Sequence, residues 1–112
     1  MMNRATIDMA VFSELQEAAG AEFVAELAAT FFEEAPAMLA ELRSAQAAGN
    51  ADAFRRAAHS LKSNSNTFGA TRLGEMARDI ELGGLVADAA PVDALEAEYR
   101  LAVAALQELT RG

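Results

Sequence analysis

His59 and Lys62 are the only histidine and the only lysine in a chain of 112 residues, and they stand three residues apart in the stretch AAHSLKSNSNTFGA, Ala57 to Ala70. A neutral imidazole is a competent nucleophile in neutral solution, because its ordinary pKa of about 6.5 leaves a free lone pair there without a helper base. An ammonium group one helical turn away can hold an anion formed on the ring. The pair therefore has the composition of a site for transient anionic chemistry on histidine. Rival chemistries lack their parts. The chain has no cysteine, so a thiolate zinc site, a disulfide framework and a cysteine nucleophile are excluded. A histidine-rich metal site or a Ser/His/Asp hydrolase would have to be built around one imidazole with no oxyanion-loop motif. There is no GxxxxGK[ST] loop, no other glycine-rich nucleotide site and too little length for a kinase catalytic domain, so phosphorylation from ATP by the chain itself is not expected.

Which way His59 points follows from helical geometry. Each residue turns about 100° around the axis, so with His59 at zero, Asp52, Arg55, Arg56, Lys62, Ser63 and Asn66 fall within about 60° of it. Phe54, Ala57, Leu61 and Phe68 fall on the opposite side. Burying His59 would bury Arg55, Arg56 and Lys62 with it, at a prohibitive desolvation cost, so the ring is expected on the surface. A lone exposed histidine is usually only solvated, but this one has unusual company. Arg55, Arg56 and Lys62 gather in two turns of an otherwise acidic chain. They either pair with Asp52 and a neighbouring helix, which contributes little energetically, or form a positive island that steadies an anion and attracts an acidic partner. Ser60, Ser63, Asn64, Ser65, Asn66 and Thr67 surround the same spot; poor helix formers, they mark either a fraying helix end or a low surface that admits another protein.

Five helical segments must position this face. The first runs from about Met9 to Ala18, with Asp8 as N-cap and Gly20 as a stop. The second, about Glu22 to Ala48, places Val24, Leu27, Phe31, Ala35, Met38, Leu42 and Ala45 in one stripe that continues across Pro36, which argues for one kinked helix rather than two. Asn50 caps a third from Ala51 to Thr67, a fourth runs from Thr71 to Leu82, and a fifth from Val92 to Leu109 begins behind Pro91. Long amphipathic helices with short connections predict an all-α, antiparallel up-down four-helix bundle with a short extra N-terminal helix, as a single domain over residues 1–112.

The net charge of -8 disfavours nucleic acid and anionic lipid as partners. No apolar run approaches the roughly 20 residues of a membrane span, and Asn3, Arg4, Thr6 and Asp8 interrupt any signal-peptide core. A cytoplasmic monomer is the expectation.

The stretch AAHSLKSNSNTFGATRL resembles the signature of histidine-containing phosphotransfer domains, the HPt modules of bacterial multistep phosphorelays, whose core reads His-x-Leu-Lys-Gly, then small residues, then Gly-Ala. IDMAVFSEL, FVAELAATFFEEAPAMLAELRSA and GNADAFRRAAHSLK stand in that family's order, so the resemblance covers nearly the whole chain. It implies that His59 accepts the phosphoryl group, on its outer nitrogen Nε2, that Lys62 helps hold it, that Leu61 anchors the motif inward and that Gly69 is a left-handed cap. Ser63 departs from the pattern, standing where the family often has glycine. The implied partners are response-regulator receiver domains and a hybrid sensor histidine kinase; the chain needs no cofactor, and Mg²⁺ is expected on the receiver. Arg55, Arg56, Ser63 and Asn66 are the expected docking residues. Phe32 and Leu39, about 80 to 100° from Phe31 on their helix, are expected either to join them or merely to widen the buried stripe. The alternative function is a phosphorylation-independent module that docks on a kinase or receiver.

Overall fold

The computed structural model describes residues 6–111. Asn3 and Arg4, which weigh against a signal peptide, lie outside them. The elements are α1 (Met9–Ala19), α2 (Ala21–Ala48), α3 (Ala51–Thr67), α4 (Thr71–Gly83) and α5 (Ala90–Thr110), with no strand among the described residues. Each helix starts and stops for a local reason. The Asp8 carboxylate accepts from the Ala10 amide and the Asn50 side chain from the Ala53 amide. α5 starts at Ala90, two residues earlier than Pro91 and Val92 suggest, because the Asp88 side chain accepts from the Ala90 amide. α2 runs unbroken through Pro36, as its continuous stripe predicts.

The helices pack in chain order: α3 lies between α2 and α4, and α5 closes the bundle against both α2 and α4. α1 lies across α2 and α3 at one end. Phe12, Val24, Phe31, Leu42, Phe54, Leu61, Leu73, Leu95 and Leu106 form the continuous core. The Phe31 ring meets Phe68 at 5.6 Å and Tyr99 edge-on at 6.0 Å, which ties α2 to the end of α3 and to α5. Phe54, Ala57, Leu61 and Phe68 are all buried, as the phase of α3 requires.

The turn from α3 to α4 fixes the site. Gly69 has φ 82°, and the Gly69 and Ala70 amides bond back to the Asn66 and Ser65 carbonyls at 3.1 and 2.9 Å, which is the Schellman closure of a helix. Its expected role as a left-handed cap is met, and a second role joins it: the Gly69 carbonyl accepts from the Asp8 amide, seating the start of α1. A β-carbon on Gly69 would stand 2.7 Å from the Asp8 carbonyl oxygen. After the turn, α3 and α4 run closely antiparallel, with Gly74 buried directly under the Asn66 side chain.

Candidate functional site

His59 stands on the outer face of α3 with its side chain 56% exposed, so the surface position follows the helical phase. Its ring is not isolated. Nδ1 lies 2.9 Å from Oε2 of Glu81 on α4, and Oε1 of the same carboxylate forms an ion pair with Lys62 Nζ at 3.0 Å. Glu81 is only 13% exposed, held between the two. Its carboxyl is kept below the ordinary value of 4.5, first by the Lys62 ammonium and then by the His59 ring, against a desolvation that pushes the other way. An ionised carboxylate can only accept, so the short contact sets the neutral ring's proton on Nδ1 and leaves the free lone pair on Nε2 of an exposed ring. The triad of His59, Lys62 and Glu81 thus presents one aimed nucleophilic nitrogen, an ammonium, and a negative group placed to balance positive charge on the ring.

Glu81 is the residue that reading the sequence missed. It is one of 17 carboxyl side chains and lies 22 residues from His59, so composition does not single it out. The signal was present in the turn, however. His59 and Glu81 are equidistant from Ala70 in the chain, and so are Asn66 and Gly74, which also meet; folding α4 back on α3 about Ala70 aligns both pairs.

The positive island requires correction. Asp52 bonds to Arg55 at 2.8 Å and to Arg56 at 3.2 Å, while Lys62 belongs to Glu81, so each expected cation already faces a carboxylate. Arg55 and Arg56 remain exposed one turn before His59, and Ser63 and Asn66 remain exposed one and two turns after it. Arg56 also lines a groove between α2 and α3 together with Ala37, Ser44 and Ser60.

Two further expectations change. Leu39 is only 6% exposed and lines the cleft between α2 and α5 with Arg43, Glu96 and Tyr99, so it is a core residue and not a docking contact. Phe32, seven residues earlier on the same edge, is half-buried against the core, its ring centroid 6.3 Å from that of Phe31. Helical phase located the edge correctly but could not say which neighbour lay beyond it; at Leu39 that neighbour is α5, whereas Phe32 stays partly exposed. Ser65 is also buried, with its hydroxyl donating to the Leu61 carbonyl at 2.7 Å. Asn64 and Thr67 likewise donate to the carbonyls of Ser60 and Ser63, four residues back. These bonds stay within the helix, and α3 remains helical as far as Thr67 instead of fraying.

A family model described as the Hpt domain matches residues 26–109, a span that includes His59, Lys62 and Glu81. No curated protein and no solved structure matches the chain significantly.

Proposed function

We propose, for a chain that belongs to the Hpt domain family, that His59 is the group carrying the phosphoryl in this protein and that Lys62 and Glu81 tune it. Hpt domains are helical phosphotransfer carriers of phosphorelays rather than kinases, and their partners are receiver domains. The observation that carries the assignment is the 2.9 Å contact between His59 Nδ1 and Glu81 on a side chain that is more than half exposed.

In the transfer, the P–O bond of a receiver's aspartyl phosphate breaks as an N–P bond forms at Nε2, and the aspartate departs as a carboxylate. No proton has to leave the attacking nitrogen, because Nδ1 holds it toward Glu81. The phosphorylated ring gains positive charge, which the Glu81 carboxylate faces, while Lys62 reaches the phosphoryl oxygens from one turn away. Running the same steps backward hands the group to a second receiver. Mg²⁺ and the acid-activating residues belong to the receiver, and this chain supplies the aimed nitrogen and a surface to dock on.

Incubating the chain with a receiver domain phosphorylated on its aspartate should yield label that is acid-labile and base-stable. His59→Gln should carry none. Unchanged labelling of that variant would remove His59 from the role, and unchanged signalling output with it would favour the phosphorylation-independent module instead.

A further inference from the structure

Among the described residues, every arginine and the lysine form an ion pair with a carboxylate, with one exception, Arg78. In a chain of net charge -8 an uncompensated guanidinium is a conspicuous feature, and its place is specific. Arg78 lies on α4 four residues after Gly74 and three before Glu81, so it shares the side of the helix that faces α3. The core of α4 is Leu73, Ala77 and Ile80, and Arg78 falls on the opposite, outer side of the line through Gly74 and Glu81. Leu82, one turn beyond Arg78 on that same outer side and next to Glu81, is 67% exposed, the largest exposure among the large hydrophobic side chains of the described residues. A free cation and a bare leucine thus stand one turn apart on the lip of α4 that borders His59.

We infer that Arg78 and Leu82 form a docking lip that seats a receiver domain beside His59, Arg78 meeting a carboxylate and Leu82 an apolar side chain of that domain. The inference rests on the phosphorelay reading above. The occupant follows from continuity with the reactive ring and from charge. A domain that delivers an aspartyl phosphate to Nε2 brings with it the carboxylates that hold its Mg²⁺, so its rim is acidic. Most of this chain repels such a rim. On α3 Asp52 is shared by Arg55 and Arg56 and Glu81 holds Lys62, so Arg78 is the one cation near His59 that no carboxylate holds at ion-pair distance, free to draw the rim in. Leu82 supplies the contact that excludes water once the two surfaces meet. The lip also gives the partner an orientation, because one charged and one apolar point beside the ring define which way it lies.

The probe is whichever receiver domain, from a purified panel phosphorylated on aspartate, transfers fastest to the wild-type chain. Arg78→Glu should lower the second-order transfer rate about tenfold at low ionic strength, and the gap should close toward twofold in roughly 0.5 M salt, where exposed charges are screened. Leu82→Asp should lower it by about tenfold with little salt dependence. Leu101→Asp, which alters an exposed leucine on α5, should leave the rate unchanged. Labelling of His59 by phosphoramidate, a donor too small to dock, should be equal in all four proteins, which separates docking from chemistry and from misfolding. Wild-type rates at every salt concentration for both α4 variants would overturn the lip while leaving the phosphorelay role standing. Phosphoramidate labelling lost in step with receiver transfer would also overturn it, by showing that the substitutions act on the ring. If no receiver labels the wild-type chain, the phosphorelay reading falls and the lip falls with it.

Discussion

At the scale of single residues, Glu81 does most to convert an ordinary surface histidine into a directed one. In the proposed role it contributes two separable effects: it accepts from Nδ1, which sets the tautomer, and it carries a charge, which would balance positive charge on a phosphorylated ring. Glu81→Gln keeps an acceptor and loses the charge, so transfer to His59 should slow about tenfold, and Glu81→Ala, which loses both, should slow it further. Rates measured with a saturating phosphorylated receiver would check the order. The same carboxylate has a pH signature. Because its folded pKa is depressed by Lys62 and then His59, its stabilising contribution is fully present above the ordinary value of 4.5 and is lost as the pH falls through the lower folded value. The stability difference between wild type and Glu81→Gln in urea unfolding should therefore narrow as the pH is lowered from about 5 to about 3.

Among the elements, the α3–α4 hairpin is decisive, and its two glycines are not equivalent. Gly69 combines a φ of 82° with a backbone neighbour, since a β-carbon would press on the Asp8 carbonyl at 2.7 Å and on Val11 Cβ at 3.2 Å. Neither can swing away without moving α1. Gly69→Ala should cost about 2 to 3 kcal/mol, combining the left-handed penalty with the clash, and amide exchange should show α1 loosened first. Gly74 has an ordinary φ, and a β-carbon there would meet the end of the Asn66 side chain, which is exposed and free to rotate. A change to alanine at Gly74 has a softer obstacle and gains helix propensity, so the same substitution is far less damaging one turn into α4.

Over the whole molecule, one polar group stands out within the core. Glu98 of α5 is buried, with its side chain 8% exposed, and is tied only to the exposed Arg72 of α4 at 3.4 Å. Its Oε2 has no hydrogen-bond partner among the described residues. A carboxylate so placed gives up more hydration than a single long ion pair returns. Glu98→Met should thus raise stability by about 1 kcal/mol, whereas Arg72→Ala, which strands the charge, should lower it by at least as much. Thermal unfolding at neutral pH distinguishes these signs. Neither residue adjoins His59, so phosphotransfer should be unaffected.

The helices, the outward phase of His59 and the placing of Lys62 beside it were legible before any fold was known, because each depends on period and on neighbours within a few residues. Asp8 and Asn50 announced their caps through side-chain oxygens that act over one turn. The tertiary structure alone decided what faces the far side of each stripe. It brought Glu81 to His59 across a hairpin, gave Leu39 to the cleft with α5 instead of to the reactive face, buried Ser65 and set the cations of α3 against carboxylates. The physical reason is common to all four. Helical phase is a local rotation fixed by backbone geometry, whereas the identity of the neighbour at a given angle depends on how distant segments pack, and packing is settled by the whole core at once.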